Sequence, residues 1–336
     1  MKTPHQQAAL LRLLQDVARK DYRFTTVTPA THARVLARAT HEASCEMKGE
    51  AGSGMNAASL RHIFGWNRSF NPASLPGEMR EAMQDAGILL DDKPSLRSSL
   101  RIASLGPDLF WHSGFPTSGQ DAVFFGPDTY RFARLIQASL SQYAVPAAAP
   151  CRVLDVGCGS GAGGIVAARA LMARNTAFTL TMSDINPAAL ALCAVNARAA
   201  DIPVTLALGD ALAAVDGQFD LIVSNPPYLV DAGGRTYRHG GDKLGLGLSL
   251  RIAQDALTRL APGGRLLLYT GVAMVGADDP FLAELAPLLE KAGCTWSYEE
   301  IDPDVFGEEL ERPVYQQVER IAAVGLVATR TAAPAK

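Results

Sequence analysis

From Cys151 onward the chain alternates short apolar runs with longer segments whose apolar residues share one helical face. The runs at 152–156, 178–183, 204–208, 219–224, 265–269 and 321–329 have strand length. The segments 164–174, 187–200, 248–260 and 281–292 carry helical spacing. Strands without internal alternation, separated by helices, predict a mostly parallel doubly wound sheet covered on both faces, the α/β class. Before residue 120 the pattern is different. Ala9, Leu10, Leu13, Leu14 and Val17 share a face of a helix over 6–20. A second helix over 29–44 opens behind Thr28 as N-cap, with Pro29 in its first position. A glycine-rich break at 49–54 follows, then short helices at 57–64 and 75–86, the latter closed by Gly87. Residues 100–112 predict a β-hairpin around Gly106-Pro107.

The expected organisation is a smaller, mainly helical domain at 1–120, an α/β domain at 121–330 and a tail at 331–336. Residues 113–120, where Gly, Pro, Thr and Ser cluster, form the linker. Helices followed by a hairpin suit either a winged-helix-like docking unit or a helical cap over an active site.

Composition narrows the class. A chain of 336 residues with 48% hydrophobic and 19% charged positions is globular material with room for two domains. Its apolar stretches are strand-length and no leader is evident, so a cytoplasmic protein without a membrane partner is expected. Five scattered cysteines (Cys45, Cys151, Cys158, Cys193, Cys294) suggest neither a disulfide framework nor a metal site. Residues 1–125 hold 14 Lys and Arg against 12 Asp and Glu, and the remainder 17 against 22. That balance lacks the basic footprint of a protein gripping many phosphates.

Candidate chemistry lies at the strand ends. Asn225-Pro226-Pro227-Tyr228 follows the run 219–224, and two prolines cannot continue a sheet ladder. The polar groups therefore project past the edge where open α/β sheets bind ligands. The Asn225 carboxamide oxygen and the Pro226 carbonyl suit the two N–H groups of a planar nitrogen, with Tyr228 stacked on its face. After the first strand, Asp155-Val156-Gly157-Cys158-Gly159-Ser160-Gly161 opens a helix, a turn that brings a ligand close to the backbone. The string Gly159-Ser160-Gly161-Ala162-Gly163-Gly164 also fits a dinucleotide fingerprint. Asp155, however, stands where such a fingerprint is apolar, and a carboxylate there suits a cationic amino-acid end. Asp184 ends the second strand, placed for ribose hydroxyls and followed by Ile185. Asp210, followed by Ala211, ends the third and suits an adenine amino group.

In this order these motifs resemble class I S-adenosylmethionine-dependent methyltransferases over about residues 121–330. The Asn-Pro-Pro-Tyr version resembles the branch that methylates planar nitrogens, which includes N6-adenine and protein-glutamine N5-methyltransferases. The resemblance implies S-adenosylmethionine as cofactor, bound by Asp155, Gly157, Gly159, Gly161, Asp184, Ile185, Asp210, Ala211 and Asn225. It implies Asn225, Pro226 and Tyr228 as catalytic. The segment 125–130 is similar to an Arg-Pro-(Asp/Glu)-Thr turn of the glutamine enzymes, which places Asp128 and Thr129 with Pro227 and Tyr228 against substrate. Gly126 stands where those enzymes carry arginine. Gly240-Gly241-Asp242 resembles a further segment of theirs at altered spacing.

The expected acceptor is an amide of the protein-glutamine kind, with adenine in RNA or DNA and a small-metabolite amide or guanidine as alternatives. A nicotinamide-dependent oxidoreductase would use the glycine turn but leaves Asn225–Tyr228 unexplained. A non-catalytic binding protein on the same fold leaves the chemically competent positions unexplained. Arg235, Tyr237, Arg238 and His239 read as a flap, and residues 1–120 as the part that selects substrate. On that reading a chain starting near Ser118 retains cofactor binding.

Overall fold

The alternation after Cys151 builds one seven-stranded sheet. The computed structural model describes residues 2–38, 55–141, 150–231 and 235–331. Residues 39–44 of the second helix, Cys45, the break at 49–54 and positions 332–336 of the tail lie outside them. The N-terminal part comprises α1 (Pro4–Ala18), α2 (Pro29–Arg38), α3 (Ala57–Leu60) and α4 (Gly77–Asp85). Two hairpins follow, β1 (Leu89–Asp92) with β2 (Ser95–Ser98), then β3 (Leu100–Leu105) with β4 (Asp108–Ser113). The second turns at Gly106-Pro107 as the sequence implies. The first is an addition.

Next come α5 (Pro127–Ser141), β5 (Cys151–Val156), α6 (Ala162–Met172), β6 (Phe178–Asp184), α7 (Pro187–Ala199), β7 (Thr205–Leu208) and β8 (Phe219–Ser224). The chain ends with α8 (Gly247–Arg259), β9 (Leu260–Met274), α9 (Pro280–Lys291), β10 (Cys294–Asp302) and β11 (Arg320–Arg330). The sheet order is β10-β11-β9-β8-β5-β6-β7. Strands β7, β6, β5, β8 and β9 run parallel, and β11 and β10 pair antiparallel beyond them.

Side chains alternate between two cores, as a period of two requires. Val153, Leu221, Val223, Leu267 and Tyr269 face one core, which α5 and α6 cover. Leu154, Val156, Ile222, Leu266 and Leu268 face the other, covered by α8 and α9. Strand order reverses direction between β5 and β8, and the crevice beyond their carboxyl ends is where such sheets bind ligands. The N-terminal helices and β3–β4 enclose a third core that also takes in Ala189, Leu192 and Val195 of α7.

Residues 127–130, expected as a turn, are the first turn of α5. Pro127 occupies its first position, and the Thr129 hydroxyl accepts the Gly126 N–H at 3.2 Å, the returning half of a capping box.

Candidate active site

Every residue expected to be catalytic or to bind cofactor or acceptor, except Gly161, lines one cleft of about 1280 Å³, counted to its open mouth. Of the expected flap residues, Tyr237 and Arg238 line it while Arg235 and His239 do not. Gly157 and Gly159 have φ of +67° and +52°, and a Cβ on either would meet nothing within 4 Å. Their backbone thus borders open space that a ligand can approach closely. Gly161, at φ +84°, is the N-cap of α6, and a Cβ there would press on Cys193 Sγ at 2.9 Å.

The Asp184 carboxylate ties the end of β6 to this loop. Its Oδ2 accepts the Gly159 N–H and its Oδ1 the Asn186 N–H, both at 2.8 Å. A carboxylate offers about four acceptor positions, so room remains for two ribose hydroxyls. Ile185 beside it is 56% exposed, unusual for a large apolar side chain and suited to cover a purine. Asp155 is buried and its Oδ2 accepts the Gly164 N–H at 2.7 Å. Burial pushes its pKa up to about 7, against that hydrogen bond and with help from the Asp184 charge.

Asp210 departs from expectation. The Arg251 guanidinium donates to both of its oxygens at 2.7 Å and lowers its pKa, so it is one half of an ion pair at the rim rather than a free acceptor. Arg251 lies one turn into α8.

Asn225 leaves β8 into the cleft, and its carboxamide makes no hydrogen bond to protein among the described residues. Tyr228 is the reverse case. Its hydroxyl donates to Asp128 Oδ2 at 2.5 Å, and Tyr269 donates to Asp128 Oδ1 at 2.8 Å. Arg131 adds a third donor at 3.1 Å. Burial raises the Asp128 pKa, opposed by these three partners, and burial together with the Asp128 charge raises that of Tyr228. The Tyr228 ring lies flat against the backbone at Gly271, where any Cβ would overlap it, and meets Phe306 edge-on at 5.8 Å. Asp128 and Thr129, expected to contact substrate, therefore have their polar atoms engaged elsewhere. The first anchors Tyr228 and the second starts α5.

Residues 235–239 reach back over the cleft. Thr236 Oγ1 donates to the Gln120 carbonyl at 3.0 Å and the Tyr237 hydroxyl to the Thr117 carbonyl at 2.6 Å. Arg235 pairs with Asp231 and Arg238 with Glu309. The rings of Tyr237 and Phe124 are parallel within 6° at 6.4 Å, and both line the cleft. Phe124 also lies over Gly126, its ring filling the space a side chain there would need. Phe124, Tyr269 and Phe306 were not singled out from the sequence. Only Tyr269, a polar-tipped residue in a run of leucines, carried a local signal. Among the described residues no group of three or more His, Cys, Asp or Glu side chains is placed to hold a metal, and no helix is long and apolar enough to cross a membrane.

The methyltransferase small domain family matches residues 138–274. The chain is 33% identical over 261 residues to the release factor glutamine methyltransferase of Deinococcus radiodurans, which takes in 74% of this chain and 86% of that protein. It is 36% identical over 113 residues to the ribosomal RNA small subunit methyltransferase C of Shewanella amazonensis, covering 34% of this chain and 29% of that protein. Among solved structures it is similar to a T. thermophilus 16S rRNA guanine-N2 methyltransferase in complex with S-adenosylmethionine and guanosine, with a TM-score of 0.43 and 18% identity over 76% of this chain and 62% of that one.

A parallel sheet with a glycine turn after its first strand and Asn-Pro-Pro-Tyr after its fourth defines a nitrogen methyltransferase. The chain belongs to the class I S-adenosylmethionine-dependent methyltransferases, in their Asn-Pro-Pro-Tyr branch. It is an N-methyltransferase whose cofactor is S-adenosylmethionine.

Proposed function

We propose that this chain methylates the side-chain amide nitrogen of a glutamine in a protein acceptor, in the cytoplasm. One observation carries the reading: an Asn225 carboxamide with no partner among the described residues stands in the cleft beside a tyrosine ring held by a buried carboxylate. An amide nitrogen is planar and weakly nucleophilic because its lone pair is delocalised. Asn225 Oδ1 and the Pro226 carbonyl accept its two N–H groups, favour pyramidalisation and aim the lone pair. Pro227 keeps the turn stiff and Tyr228 stacks on the amide plane.

When bound, S-adenosylmethionine supplies a sulfonium-activated methyl carbon, which bonds to nitrogen as the carbon–sulfur bond breaks with its electron pair left on sulfur. The methylated nitrogen then gives up a proton to water, so no side chain with a strongly shifted pKa is needed as base. Asp155 would meet the cofactor's ammonium group, and Asp184 its ribose hydroxyls. Ile185 and Ala211 would pack against its adenine, with the Asp210–Arg251 pair at the rim beside it. The open faces of Gly157 and Gly159 fit a ligand approaching the backbone. Residues 1–120 select the acceptor.

The extent of similarity to the Deinococcus enzyme supports a glutamine acceptor, since the match to the ribosomal RNA enzyme covers only 29% of that protein. The test supplies S-adenosylmethionine labelled in its methyl group with a bacterial release factor, the same factor with its acceptor glutamine replaced by glutamate, and small-subunit ribosomal RNA. Label on the first alone, abolished by Asn225→Ala, is the expected outcome. Label on RNA and none on protein would overturn the assignment.

A further inference from the structure

Helix α7 serves two cores. Leu190, Cys193 and Ala197 pack under the sheet, while Ala189, Leu192 and Val195 enter the N-terminal core. Inside this apolar helix Asn196 is fully buried, and its amide is saturated. Oδ1 accepts the Trp111 N–H at 2.9 Å, and Nδ2 donates to the Trp111 carbonyl at 3.1 Å and the Ser160 carbonyl at 2.9 Å.

Trp111 faces Ile102 across the β3–β4 hairpin, and its own N–H and C=O point outward at the hairpin's other edge. The Asn196 amide bonds both, as a neighbouring strand would. Its third bond goes to the residue just before Gly161, in the glycine turn. At the start of α7, Asn186 repeats the connection. Its Oδ1 accepts the Ala188 N–H, its Nδ2 donates to the Asp121 carbonyl at 2.8 Å, and it follows directly on Asp184-Ile185. A buried amide is costly unless fully bonded, so an amide bonded to three backbone groups fixes their relative positions.

We propose that Asn196 is a positioning residue for the cofactor, and that through it residues 1–120 support the cofactor half of the site as well as selecting the acceptor. The inference rests on the reading that residues 157–161 hold the cofactor. A shift of β4 displaces the Ser160 carbonyl and with it the turn at Gly159 and Gly161. By linkage, cofactor occupancy and docking of the N-terminal core then stabilise each other. A chain starting near Ser118 would lack Trp111 and leave Asn196 with one of its three hydrogen bonds beside an uncovered apolar face.

The test uses the full chain and S-adenosylhomocysteine titrated by calorimetry. Asn196→Leu is expected to raise Kd at least tenfold. Asn196→Asp keeps an acceptor for the Trp111 N–H but loses the donation to Ser160 and sets a buried carboxylate against two carbonyls, so it is expected to raise Kd at least as much. Met83→Ala opens a cavity elsewhere in the N-terminal core, lowers Tm, and leaves Kd within twofold. Equal Kd changes for Met83→Ala and Asn196→Leu at matched loss of Tm would reduce Asn196 to a purely structural role and overturn the proposal. Gly159→Ala separates the two readings. If it too leaves Kd unchanged, the glycine turn is not the cofactor site. If it weakens binding and Asn196→Leu does not, only the present inference falls. In the unmodified chain, saturation with S-adenosylhomocysteine is expected to slow hydrogen exchange in Asp108–Ser113 as well as in 157–161. Slowing confined to the turn would also overturn it.

Discussion

The Tyr228 hydroxyl and the Asp128 carboxylate, 100 residues apart in sequence, share a 2.5 Å hydrogen bond in the interior. Through it the ring proposed to stack on the acceptor is held by the helix that precedes the sheet. Tyr228→Phe keeps the ring and removes the anchor, while Asp128 retains Tyr269 and Arg131. The expected cost is about 1–3 kcal/mol of stability. A fall of roughly tenfold in kcat with unchanged S-adenosylhomocysteine affinity should accompany it. Denaturant titration and single-turnover kinetics measure both, and unchanged kcat would mean that packing alone orients the ring.

Packing is tested separately at Gly271, whose backbone lies directly under that ring. Gly271→Val favours a strand by propensity yet drives a side chain into Tyr228. We expect turnover to fall at least a hundredfold with the cofactor still bound. A Gly271→Val enzyme with normal kcat would show that the ring has another place to go.

On the proposed reading Asn225→Ala removes an acceptor for the target nitrogen while the other cofactor contacts remain, so cofactor affinity should largely survive. Methyl transfer reduced at least a hundredfold with S-adenosylhomocysteine binding within a few-fold of normal is the expected pair. Near-normal transfer would make the double-proline segment a structural turn.

Asp155 predicts a pH dependence. Its carboxyl ionises at about 7 in the folded chain against 3.8 for an ordinary aspartate. The native state therefore holds the extra proton between those values, and this residue's contribution to stability declines as pH rises from about 4 to about 7. With Asp155 facing the cofactor's ammonium group as proposed, cofactor binding has the opposite preference, because an ammonium group favours the ionised carboxylate. Affinity should weaken as pH falls below about 7, approaching tenfold per unit, and Asp155→Asn should flatten the curve at low affinity. Calorimetry between pH 5.5 and 8.5 suffices. A slope that persists in the variant would assign the titration to another group.

The α/β alternation was legible because the inner strands are buried on both faces and the helices are punctuated by caps such as Asn186-Pro187. Strand β10 was not. Cys294–Asp302 is an outer strand with mostly exposed or half-exposed side chains and no apolar face to register. The β1–β2 hairpin was missed for the same reason, being four residues a side and mostly exposed or half-exposed. Helix α5 had a readable stripe in Phe132, Leu135, Ile136 and Leu140, which the turn-like Gly126-Pro127 obscured. Strand β9 runs through Pro262-Gly263-Gly264, residues that read as a break. In the site, contiguous motifs at strand ends declared themselves. Asp128 could not, since its role is set by tyrosines 100 and 141 positions away. Asn196 left only a faint trace, a lone amide in an otherwise apolar helix.

The Phe124 ring lies over Gly126 so closely that a Cβ there would stand 2.5 Å from Phe124 Cζ. Resembling enzymes place an arginine at this position, and the overlap makes the two sites epistatic. An arginine introduced alone at 126 requires the Phe124 ring to turn aside, whereas the same change after Phe124→Ala finds space. Sterics thus favour one order of the two substitutions, and a mutational library varied at 124 and 126 together is expected to recover larger residues at 126 more readily than one varied at 126 alone.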